Sequence, residues 1–136
     1  RECSTRWPIE AETLDVVFTS NFLEHLPEKS HVDRTLGEAH RCLKKNGIII
    51  CVGPNIQYIP GLYWGYWDHF IPITGASMAE ALILKNFKIK QRIDRFLPYT
   101  MSGRKNPPLF LVKIYLKMPM LWRFFGKQFF IIAKKT

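Results

Sequence analysis

Residues Leu14–Pro27 read LDVVFTSNFLEHLP: a short apolar run, a polar elbow, then the approach to a helix. Asp15–Phe18 is brief, β-branched and almost continuously apolar, which suits a strand buried on both faces of a parallel sheet. Thr19, Ser20 and Asn21 end it with hydroxyl and amide groups able to hydrogen-bond a ligand. In open α/β sheets the ligand crevice lies just beyond the carboxyl ends of the strands, which puts Ser20–His25 at its rim. A strand followed by an ordinary helix cap is the alternative reading of the same residues.

The flanking sequence supports a layered α/β arrangement. Residues 1–13 read as a strand remnant and a loop, with Trp7-Pro8 as a bend. After the elbow, Ser30 with Asp33 forms a helix-start signal, and Val32, Leu36, Ala39 and Leu43 recur on one helical face. Lys44 and Lys45 would complement the end of that helix dipole, and Asn46-Gly47 would supply its left-handed stop. Ile48–Val52, IIICV, is then a second buried strand, and strand, helix and strand fall within about 40 residues, the span of a right-handed crossover.

Residues 53–73, GPNIQYIPGLYWGYWDHFIPI, are too rich in Gly, Pro and aromatics for a regular element and read as a lid over the crevice. Tyr58, Tyr63, Trp64, Tyr66, Trp67 and Phe70 would wall a substrate pocket, with Asp68 and His69 as polar groups inside it; an aromatic plug closing the core is the alternative. Thr74 caps a second expected helix reaching Leu84 and closing near Lys85-Asn86. Phe87–Phe96 follows as a strand, with Phe87, Ile89 and Ile93 on one face and Lys88, Lys90 and Arg92 on the other. A loop over 98–108 precedes an apolar helical stretch, Leu109–Met118, which carries Lys113 and Lys117 and stops at Pro119. Gln128–Lys134 is the last strand.

The chain of 136 residues holds at most one domain and is short for a doubly wound enzyme. It opens on Arg1 rather than Met, as a fragment would. No apolar run reaches the ~20 residues of a membrane span. Cys3, Cys42 and Cys51 have neither the even number of a disulfide framework nor the CxxC spacing of a zinc site, so a reducing, cytoplasmic setting is expected. The net charge of +9 is uneven: residues 1–70 carry seven cations against nine carboxylates, and residues 71–136 thirteen against two. Such a basic half suits an anionic partner, or is simply a solvated face.

Taken in order, DVVFTSNFLEHLP, EAHRCLKKNGIIICVGPN and FGKQFFIIAKK resemble the fourth strand and elbow, the next helix with the fifth strand, and the last strand of class I S-adenosylmethionine-dependent methyltransferases of the type-11 group. The resemblance runs through nearly the whole chain. It implies a partial Rossmann-like sheet of about the last four strands, the final one antiparallel and paired with Phe87–Phe96. Residues 1–136 would then be the C-terminal portion of a single methyltransferase domain, with S-adenosylmethionine as cofactor. The family's glycine-rich loop has no counterpart, since the eight glycines contain no GxGxG. Neither has its ribose-binding acidic residue, so the chain alone is expected to be inactive. By position, Glu2 falls near the family's acidic contact to the adenine amino group. Ser20 and Asn21, with Phe22 beside them, fall where the methionine part of the cofactor is met. The family's strand order leaves the 14–19 strand with an unpaired edge, open to association.

Methyl transfer is an in-line displacement, so alignment in a dry pocket is the protein's main task, and an oxygen nucleophile gains from a base of near-neutral pKa. His25 at the elbow and His69 in the lid are placed to serve; His31 and His40 read as helix-flank residues. Glu24, Tyr58, Tyr63, Trp64, Trp67 and Asp68 are the expected substrate contacts, and the acceptor is expected to be small or glycan-like. Some methyltransferases bind a divalent metal through Glu, two residues, then Glu-His. Asn21 at the first position, a weaker ligand than a carboxylate, argues against a metal here. A non-catalytic module binding a partner chain or nucleic acid through the basic half is the alternative function. Nucleic acid is disfavoured, because the aromatics lie away from most lysines. Peripheral membrane contact through the amphipathic 109–125 segment remains open.

Overall fold

The computed structural model describes residues 5–99 and 107–136. Its four strands, β1 (Leu14–Ser20), β2 (Leu43–Pro54), β3 (Phe87–Ile93) and β4 (Gln128–Lys135), form one sheet in the order β1-β2-β4-β3. β1 and β2 are parallel and are joined through α1 (Lys29–Cys42), while β4 runs antiparallel to both of its neighbours, β2 and β3. The expected pairing of the last strand with the 87–96 segment, and its antiparallel sense, are therefore observed.

The strand pattern sorts two faces. Val17, Ile49, Cys51, Ile131 and Ala133 point to one side and join Leu36 and Ala39 of α1 and Met78 and Leu82 of α3 (Gly75–Leu84) in a single hydrophobic core. The other face carries Val16, Phe18, Ile50 and Ile132, none of which enters that core. Thr74 caps α3 by the expected route: its hydroxyl accepts from the Ser77 N–H, and the Ser77 hydroxyl accepts from the Thr74 N–H.

Several boundaries differ from the sequence expectation, and α1 begins at Lys29 with Ser30 already inside it and no side-chain cap bond at its start. The first helix stops at Cys42, not at Asn46-Gly47, because Leu43 is already paired with Leu14. The pairing then jumps to Val16 with Ile48, so Lys44–Gly47 is an excursion inside β2, with Asn46 at φ 69° as its left-handed turn. β3 ends at Ile93, and a bulge at Lys90 changes its phase. Ile89 pairs with core residue Ala133, but Ile93 pairs with Phe130 and so lies on the opposite face from Phe87 and Ile89.

The segment over residues 53–73, expected as a lid, opens on the last two residues of β2 and then carries a short helix, α2 (Pro60–Tyr63), between less regular stretches. After the loop, α4 (Leu109–Leu116) and α5 (Pro119–Phe125) form the last helical pair, with Pro119 opening the second rather than merely breaking the first. The N-terminal residues 5–13 hold no strand.

Candidate active site

The elbow forms because β1 runs out of apolar side chains. Asn21 adopts φ 47°, a conformation asparagine tolerates, and its N–H donates to the Val52 carbonyl, so the turn stays tied to β2. One turn of 3-10 helix, Leu23–His25, follows and buries Leu23 and Glu24. The Glu24 carbonyl then accepts from the N–H groups of Phe70 (2.9 Å) and Ile71 (3.3 Å). Those two bonds fasten the lid to the elbow and bring His69 to His25.

A cavity of ≈310 Å³ lies at this junction, lined by Asn21, Glu24, His25, Tyr66, Asp68, His69, Tyr99 and Gln128. The His25 and His69 rings meet edge to face with centroids 4.9 Å apart. Nδ1 of His25 stands 2.9 Å from the Asp68 carbonyl oxygen and 3.1 Å from Asp68 Oδ2. A carbonyl only accepts, so Nδ1 carries the proton, and in the neutral ring Nε2 is the nitrogen free to take one. Glu24 Oε1 lies 3.8 Å from that Nε2.

His69 is buried, with Nδ1 lacking a hydrogen-bond partner, between the Tyr66 ring (stacked, 4.9 Å) and the Tyr63 ring (edge-on, 4.7 Å). Burial, and secondarily the neighbouring His25, push its pKa below the usual imidazole value, so it is held neutral. Burial pushes the Glu24 carboxyl up from the ordinary carboxylate range, and Oε1 has no hydrogen-bond partner. Burial also raises the Tyr99 hydroxyl, reinforced by Tyr66 beside it.

The structure redistributes the expected substrate wall. Tyr63 is fully buried, its hydroxyl donating to the Ile71 carbonyl, so it braces the lid from within the core and offers no face to a ligand. Tyr58 lies under the Arg95 guanidinium, 4.9 Å from Cζ to the ring centroid, away from the cavity. Trp64 and Trp67 are 54% and 97% exposed and line none of this cavity. Asp68 and Glu24 do line it, together with Tyr66. Tyr99 and Gln128 were not singled out from sequence. Tyr99 sits in a loop without local pattern, and Gln128 reads only as the first residue of a strand.

Of the positions expected to meet the cofactor, Glu2 lies outside the described residues. Ser20 and Phe22 line a second, mainly apolar cavity of ≈430 Å³ between β1 and α1, with Trp7, Val17, Thr19, Leu36 and Ala39. Asn21 faces the histidine cavity instead, and its amide donates to Ser20 Oγ at 3.1 Å. Buried Thr19 Oγ1 has no partner. Hydroxyl and amide groups thus gather at the carboxyl end of β1, and because β1 is a sheet edge nothing described stands across from them. Glu24, His25 and His69 also offer ligand atoms within 4.8 Å of one another, the one such group among the described residues. Burial, which pushes the Glu24 carboxyl up, and the amide of Asn21 beside it make this a poor cage for a hard cation.

Residues 2–51 match the family described as "Methyltransferase domain". A curated relative, demethylmenaquinone methyltransferase of Alkalihalophilus pseudofirmus, is 32% identical over 77 residues, which cover 54% of this chain and 31% of the relative. Among solved structures, an S-adenosylmethionine-dependent methyltransferase from Archaeoglobus fulgidus superposes with TM-score 0.64 at 17% identity, covering 93% of this chain and 62% of the other. One from Methanosarcina mazei gives TM-score 0.68 at 16% identity, covering 99% and 65%. The chain thus spans less than two thirds of the length of each of these proteins. No helix among the described residues is long and apolar enough to cross a membrane.

Proposed function

We propose that the chain belongs to the class I S-adenosylmethionine-dependent methyltransferases, as its fold and the family match over residues 2–51 support, and that it contributes the acceptor side of a methyl-transfer cleft, acting on an oxygen of a small or glycan-like acceptor. One observation carries the reading: the elbow after β1 and the lid converge on a cavity in which two histidines touch, one with a fixed tautomer and one held neutral. The cofactor, when bound, supplies an electrophilic methyl group. The chain's own residues do the rest. His25 Nε2, freed by the Nδ1–H bond to the Asp68 carbonyl, accepts the hydroxyl proton of the acceptor. His69, Tyr66 and Tyr99 surround the acceptor with rings that exclude water and hold it in line. Thr19, Ser20 and Asn21 are the groups that would hold the cofactor's polar part, and Phe22 an apolar part.

The opposite wall of the cleft would come from polypeptide paired along the free edge of β1, so the chain by itself should not turn over. Formation of S-adenosylhomocysteine by the protein with that wall in place, assayed on hydroxyl acceptors including free sugars, tests the assignment. His25→Ala should lower kcat about 10²–10⁴-fold, as loss of a general base does. His69→Ala, which removes a wall rather than the base, should act mainly on KM. Unchanged rates in both variants would remove histidine from the chemistry.

A further inference from the structure

We propose that α4 and α5 form an arm that lies on the surface of an anionic lipid bilayer. The two helices pack on the rest of the chain through a narrow inner side. The Tyr115 hydroxyl donates to the Phe96 carbonyl (2.6 Å), the Trp122 indole N–H donates to the Tyr115 carbonyl (2.9 Å), and Phe96 and Trp122 meet with ring centroids 5.0 Å apart. The outer side is apolar and uncovered. Neither helix has a single buried residue, and Leu109, Phe110, Met120 and Phe124 are 69%, 60%, 75% and 72% exposed. Four such side chains left exposed on two neighbouring short helices are more than scattered surface residues and are of the kind that marks an interaction site.

Charge selects the occupant. Lys113, Lys117 and Arg123 are exposed among these apolar side chains. Beyond Asp94 the sequence carries nine Lys and Arg and no carboxylate at all. The cores of protein interfaces are depleted in lysine, whereas large apolar side chains interleaved with cations and no acids are what an anionic headgroup layer binds. Length excludes insertion across the bilayer. The eight residues of α4 extend about 12 Å, against a hydrocarbon core of about 30 Å, so the arm lies on the surface. The arm is also continuous with the cavity wall. Phe96 leads into Pro98 and Tyr99, and the Gln128 side-chain amide that lines the cavity donates to the Pro98 carbonyl (2.9 Å).

Flotation of the chain with phosphatidylglycerol–phosphatidylcholine vesicles tests this directly. The chain should float with these vesicles and not with pure phosphatidylcholine, and added salt should release it. The Lys113→Gln/Lys117→Gln double variant should lose about fivefold in partitioning for each lysine, and Phe110→Ser/Phe124→Ser about tenfold or more. These side chains are outside the core, so far-UV circular dichroism should not change. Phe18→Ser, which alters the open sheet face, should bind as the parent does. Equal binding to neutral vesicles would overturn the proposal. So would retention of binding by both arm variants, loss of binding only with Phe18→Ser, or self-association or nucleic-acid retention that depends on the arm without flotation.

Discussion

Glu24 shows how one buried side chain can be placed for geometry at a cost in stability. Its carbonyl holds the lid through Phe70 and Ile71, while its carboxyl is 2% exposed with Oε1 unbonded. Burial raises its pKa in the folded state above the unfolded value, so its contribution is fully favourable below about pH 4.5 and is lost as pH rises through the folded pKa. Glu24→Gln removes that loss, and its amide N–H can donate toward His25 Nε2. We expect the variant to gain on the order of 1 kcal/mol at neutral pH, with the difference from the parent vanishing below pH 4.5. Thermal melts of both across that range check it. His69 and His40 act in the opposite sense. Burial lowers both, so the stability they contribute is present above about pH 6.5 and is lost as pH falls toward their folded pKa values. The Glu24→Gln comparison isolates the carboxyl from these two imidazoles.

At the scale of elements, local signals were sufficient where nothing distant competed with them. Thr74 and Ser77 at the start of α3 and Asn86 at its end (φ 62°) behave as their chemistry suggests. Asn46-Gly47 carries an equally good stop signal and adopts the same left-handed turn, yet the helix has already ended, because pairing of Leu43 with Leu14 is a tertiary event that spacing does not record. The phase change at Lys90 and the roles of Tyr99 and Gln128 were hidden for the same reason: each depends on a partner strand or loop distant in sequence. His25 and His69 could be nominated from the sequence because the elbow and lid are local patterns. Which aromatics face them could not, since the lid's turns decide that. The α3 cap permits a clean measurement. Thr74→Ala should cost about 1 kcal/mol and lower Tm by a few degrees. The Thr74→Ala/Ser77→Ala double variant should cost less than the sum of the two single changes, because the two residues exchange hydrogen bonds and either change already loosens the other's.

The described residues form an open sheet with one finished face and two edge strands, β3 paired antiparallel to its neighbour and β1 paired parallel to its own. β1 is parallel, short and outermost, and Val16 and Phe18 beside that edge are 49% and 65% exposed. Parallel strands are ordinarily covered, and an apolar edge of this kind recruits another strand. The same edge bounds the polar groups of Thr19, Ser20 and Asn21, so the strand that completes the sheet would also complete the cofactor cleft. Two consequences follow from one cause. The isolated chain should self-associate with concentration in light scattering, and Val16→Lys with Phe18→Lys should return it toward monomer. Titration calorimetry of the same chain with S-adenosylhomocysteine should give no micromolar binding, because under the proposed reading the described residues would hold the ligand from one side only. Micromolar binding by the lysine variant, monomeric and with its edge unpaired, would mean that the cleft needs no second wall.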